Sequence, residues 1–96
     1  MVLDDLIAAY LQLSSAIVSD ALDRIGDHGT IEGVVAQVPG RKMCGPAYTV
    51  RYTLAGAAMN RFADFLDDVP RGAVVAIDNG GRTEMSVWGD TLSLFA

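Results

Sequence analysis

The stretch that most limits what this chain can fold into is Ala73-Val74-Val75-Ala76-Ile77, followed at once by Asp78-Asn79-Gly80-Gly81. A short, unbroken apolar run bounded by turn residues reads as a central strand covered on both faces, the pattern of a parallel sheet in an α/β protein. Such folds place small anionic ligands at the carboxyl ends of their strands. The flanking segments fit that class. Leu6, Ile7, Tyr10 and Leu11 recur at helical spacing behind acids in the first turn, which predicts a helix over 4–13. Ser14 or Ser15 can cap a second helix, in which Ile17, Val18, Ala21, Leu22 and Ile25 form a stripe ended by Gly26. Ser19, Asp20, Asp23 and Arg24 take its polar face.

Residues 33–38 and 47–53 are rich in β-branched and aromatic side chains and read as two pairing strands, with a turn or bulge over Arg41-Lys42-Met43-Cys44 between them. Tyr48, Val50 and Tyr52 share one side of the second. Helical spacing returns over 58–66 and must stop near Asp68, because Pro70 pushes its predecessor out of the helical region. Leu92, Phe95 and Ala96 share a face on a last helix opening near Gly89, too short to be stable undocked.

At 96 residues the expectation is one domain, 1–96, with a single modest core, and an apolar share of 51% is ample for folding. The net charge of −5 speaks against a nucleic-acid partner, since phosphate binding needs clustered bases and only seven Lys and Arg are scattered along the chain. No apolar run reaches the ~20 residues of a membrane span, and no basic leader precedes an apolar segment. Cys44 is the only cysteine, which rules out an intrachain disulfide and agrees with a cytoplasmic location.

Chemistry concentrates near the C-terminus. The strand ending in Asp78, Asn79, Gly80 and Gly81 leads to a helix start at Gly89, Asp90, Thr91 and Leu92, whose first N–H groups have no partner in the helix and suit a carboxylate. Neither G-x-G-x-x-G nor a Gly-Lys-Ser/Thr ending is present, which sets a nucleotide aside.

Four blocks carry a resemblance: "LSSAIVSDALDRIG" (13–26), "GRKMCGPAYTVRY" (40–52), "PRGAVVAIDNGGR" (70–82) and "VWGDTL" (87–92). In this order they resemble successive blocks of the RraA-like family, which includes metal-dependent 4-hydroxy-4-methyl-2-oxoglutarate aldolases that also decarboxylate oxaloacetate, and regulators of ribonuclease activity. The resemblance implies a homotrimeric α/β domain with a β/β/α sandwich core and sites near subunit boundaries. It also implies that Gly89, Asp90, Thr91 and Leu92 hold the pyruvyl part of a 2-keto-acid through backbone N–H groups. In the aldolase branch a further strand ends in an Arg-Asp pair that binds the keto-acid and a magnesium or manganese ion. No such segment lies within these 96 residues. The expected fold is therefore truncated after a central strand and the start of the next helix, with no metal ligand assigned and with activity dependent on a complementing second chain. A non-catalytic, protein-binding regulator is the rival, and its acidic surface suits a basic partner.

Single residues have plainer readings beside these. Asp78 suits an Asx turn as well as a site wall. Arg82 suits an exposed surface position or an intersubunit ion pair as well as a substrate-carboxylate contact. Trp88 suits a core or interface position as well as the floor of a cleft. Asp20 divides evenly between a helix surface and a site, His28 reads as a solvated loop residue, Cys44 as a small buried hydrophobe and Asp67-Asp68 as solvated.

Overall fold

The computed structural model describes the backbone of residues 2–53 and 64–96, so most of the helix expected over 58–66 lies outside the described residues. The chain forms two compact units, 1–44 and 45–96.

In the first unit, α1 runs Leu3–Leu11 with Asp4 and Asp5 in its first turn. The second helix, α2, runs Ser15–Arg24 behind Ser14, whose hydroxyl accepts the Ile17 amide at 3.2 Å. Its far end closes as a Schellman motif: Gly26 takes φ +78, its N–H reaches Asp23 O, and the Asp27 N–H reaches Leu22 O at 2.9 Å. Both boundaries follow from the capping residues. The stripe is only partly used: Val18 and Leu22 are half-buried, whereas Ile17 and Ile25 remain exposed.

The strand expected over 33–38 does not form; this segment is a run of turns and loop. Gly33 sits at φ +81, incompatible with an extended strand, and Pro39 removes a ladder donor at the other end. Val34 and Val35 are exposed in consequence, at 72% and 71%. Residues 29–44 return beside α1 and α2, where Ser19 and Thr30 hydroxyls meet at 2.8 Å. The Lys42 ammonium donates to Leu13 O at 3.2 Å and to Leu11 O at 3.4 Å, supplying cationic donors to carbonyls at the end of α1. An open cleft of about 870 Å³ lies between these segments.

The second unit is organised by two strands, β1 (Ala47–Arg51) and β2 (Val74–Asp78). They pair parallel, from Ala47 opposite Val74 to Arg51 opposite Asp78. Val74 N–H to Pro46 O and Tyr52 N–H to Asp78 O, 2.9 and 2.8 Å, extend the ladder at both ends. The partner of β1 is thus β2 and not the segment before Gly40. Tyr48 and Tyr52 project to one side of β1 and meet Phe65, at centroid separations of 6.3 and 6.4 Å. Phe65 belongs to a 3₁₀ helix over Asp64–Asp68, which ends where the approach to Pro70 predicts. Gly45 passes so close to the Gly72 carbonyl that a Cβ would collide with it. The last helix, α3, runs Asp90–Phe95 behind Gly89.

Mixed helices and a parallel pair of strands confirm the α/β class. The expectation of a strand covered on both faces is corrected: Val74, Val75 and Ile77 are half-buried and Ala76 is exposed. No described residue is fully buried, so the modest core that the composition predicts is absent among the described residues. An apolar sequence packs only as far as neighbouring layers cover it, and two strands with short helices leave much surface open.

Candidate functional site

The parallel register brings the carboxyl ends of β1 and β2 together, and the sequence beyond β2 is built into a turn by its own side chains. Asp78 Oδ1 accepts the Gly80 N–H at 2.8 Å, an Asx turn, while Oδ2 lies 3.9 Å from Arg51 Nε in a pair exposed on both sides. Gly80 and Gly81 follow at φ +66 and +76, consecutive left-handed residues that only glycine adopts without strain. Asn79 then spans the turn, its Nδ2 donating to Arg82 O at 3.1 Å and Met85 O at 3.2 Å.

Arg82 is half-buried, and its guanidinium is engaged internally. Nη2 donates to Tyr52 O at 2.7 Å and approaches Asn79 Oδ1 at 3.5 Å, so the cation joins the end of β1 to the turn after β2. Its Nε is buried and has no partner among the described residues. Nη1 lies 3.0 Å from where a Gly80 Cβ would stand, a second reason for glycine there. The exposed surface position expected of Arg82 gives way to a half-buried brace between two backbone segments. Burial pushes the Tyr52 phenol above its ordinary pKa.

The chain next reaches α3 through Ser86, whose hydroxyl donates to Trp88 O at 2.8 Å. Trp88 is half-buried, and its indole N–H donates to Ser93 Oγ at 2.7 Å, fastening the approach to the helix it precedes. Gly89 is extended, at φ −151, and offers no side-chain cap. The first helical bond is Ser93 N–H to Gly89 O, at 3.0 Å. The amides of Asp90, Thr91 and Leu92 therefore precede the ladder and have no acceptor within the helix. Such a turn accepts a carboxylate or a carbonyl oxygen.

The structure brings Asp78, Asn79, Gly80, Gly81 and Arg82 into one turn, and it fastens Trp88 to the helix that Gly89 opens. Asp20 is exposed on α2, in the first unit, as are His28 and its partner Asp23, 3.3 Å apart. Cys44 is half-buried. Among the described residues no three His, Cys, Asp or Glu side chains converge as metal ligands. No described helix is long and apolar enough to cross a membrane. Sequence reasoning missed the carbonyl of Tyr52 as the anchor of Arg82, and no motif marks a main-chain acceptor thirty residues away.

Protein DlpA of Legionella pneumophila is similar, 37% identical over 92 residues, a stretch that covers 93% of this chain and 15% of that protein. The chain thus spans only a small part of the length of the curated relative it matches. No solved structure gives a significant match. The model of the RraA-like family, described as Aldolase/RraA, matches residues 15–96, from the first residue of α2 through α3. The chain belongs to the RraA-like family, whose function at the family level is that of an aldolase/decarboxylase or a regulator.

Proposed function

We propose that residues 45–96 carry the keto-acid cradle of an RraA-like lyase, in which the first amides of α3 receive the carboxylate of a pyruvyl group. The observation behind this reading is that the first α3 bond runs from Ser93 N–H to Gly89 O, which leaves the amides of Asp90, Thr91 and Leu92 open with no side-chain cap at Gly89. Gly89, Asp90, Thr91 and Leu92 bind through the backbone. Asp78, Asn79, Gly80, Gly81 and Arg82 are read as a wall of the same site, and their internal bonds set the path of the chain beyond β2. The parent reaction is cleavage of a 4-hydroxy-2-oxo-dicarboxylate to pyruvate and a second keto-acid, with decarboxylation of oxaloacetate alongside it.

Both reactions develop charge on an enolate oxygen, which needs a positioned electrophile. Among the described residues no set of His, Cys, Asp or Glu gathers as metal ligands. In this reading the α3 amides hold the keto-acid carboxylate, and turnover requires that electrophile beside them. Purified protein is expected to gain thermal stability with pyruvate or oxalate, with or without magnesium, by mass action. Unchanged melting at saturating ligand would remove the cradle.

A protein-binding regulator is the second reading, favoured by exposed apolar side chains such as Ile25 at 76% and Met43 at 79%. It predicts no response to either acid.

A further inference from the structure

The cleft in the first unit has a composition unlike the rest of the chain. Acids outnumber bases twelve to seven in the sequence, yet Arg41 and Lys42 both line the cleft and none of its described lining residues carries a carboxylate. Arg41 makes no ion pair among the described residues. Lys42 donates to Leu11 O and Leu13 O, and an ammonium has three donors, so one N–H remains without an acceptor among the described residues. The lining also offers apolar side chains, Val18 and Leu22 half-buried on α2 and Val34 exposed on the returning loop, beside the hydroxyls of Ser15, Ser19 and Thr30. At about 870 Å³ the space lies within the ~300–1,000 Å³ of small-molecule sites, which pair an apolar lining with a few polar groups.

We propose that this cleft binds a small amphipathic carboxylate, its apolar body along Val18, Leu22 and Val34 and its charged end at Arg41 and Lys42. The acidic remainder of the surface repels such an anion, so the two cations also select where it lands. A keto-acid as small as pyruvate has no apolar body to fill the wall. The site is therefore separate in chemistry from the cradle proposed in the second unit, and neither depends on the other.

Cys44 lines the same cleft and is the only cysteine, so its alkylation by iodoacetamide reports occupancy at this place. With the full chain, phenylbutanoate is expected to slow alkylation in a saturable way. Phenylbutanamide, equal in shape but uncharged, should need roughly tenfold more ligand, and acetate or pyruvate should give no protection. Arg41→Gln should weaken the protection by about threefold, the scale of one exposed charge contact. Val34→Glu, at an exposed wall position, should abolish it while circular dichroism stays unchanged. Equal protection by the acid and the amide, or none by either, would overturn the proposal. So would protection that survives Val34→Glu. Failure of the keto-acid cradle would leave all of these outcomes as they are, because that cradle is read from pyruvate or oxalate.

Discussion

In residues 1–44 the contacts that join distant segments come from side chains: Lys42 on the carbonyls of Leu11 and Leu13, and Ser19 on Thr30. In residues 45–96 the organising contact is a backbone ladder, with Arg82 adding a charged bond from the turn after β2 to the end of β1. A parallel pair fixes many groups in one register, whereas scattered side-chain bonds each fix one point and compete with water. The second unit is accordingly the one in which residues far apart in sequence are held in a fixed register. The first offers an open cleft and exposed apolar surface.

Substitutions can break this comparison, beginning with the largest effect. Gly45→Ala drives a methyl group into the Gly72 carbonyl beside the sheet and should cost about 3 kcal/mol. Trp88, the single Trp, lies in the second unit, and its fluorescence during urea unfolding measures this. Arg82→Met removes the charged donor from Tyr52 O and should cost about 2 kcal/mol by the same measurement. Ser14→Ala removes the α2 cap and should cost about 1 kcal/mol, seen as faster amide exchange over residues 15–24. Larger losses from Ser14→Ala than from Gly45→Ala would invert the comparison.

Smaller still is a pH effect confined to the second unit. Burial raises the Tyr52 pKa in the folded chain, so the folded state holds this proton more tightly than the unfolded state does. The associated stability is complete below the unfolded phenol value, about 10, and is lost as pH rises through the higher folded value. Tyr52→Phe should flatten the alkaline decline of the Trp88-monitored transition. An unchanged slope would show that the phenol is not desolvated. Asp23→Asn, which breaks an exposed pair with His28, should change stability by less than about 0.5 kcal/mol.

Much of this was legible in the sequence where a local cause decides the outcome. Ser14 and Gly26 mark the ends of α2, the apolar run after Gly72 marks β2, and Gly89 marks the start of α3. Where the outcome depends on a distant partner, the pattern misleads or falls silent. Residues 33–38 have strand composition, but a left-handed Gly33 and the following Pro39 deny them a ladder. The alternation of β1 was readable, yet its partner, β2, begins more than twenty residues later. Arg82 shows the same limit: as a residue type it suggested a surface pair or a ligand contact, and only the fold supplies the Tyr52 carbonyl. The α3 opening was readable because helix ends expose the same donors in every context.

The most direct test of the keto-acid cradle is amide NMR of the full chain titrated with oxalate, a stable mimic of the pyruvyl enolate. Saturable shifts concentrated at the amides of Asp90, Thr91 and Leu92 are the predicted result. Shifts confined to other residues, or none at saturating oxalate, would contradict it.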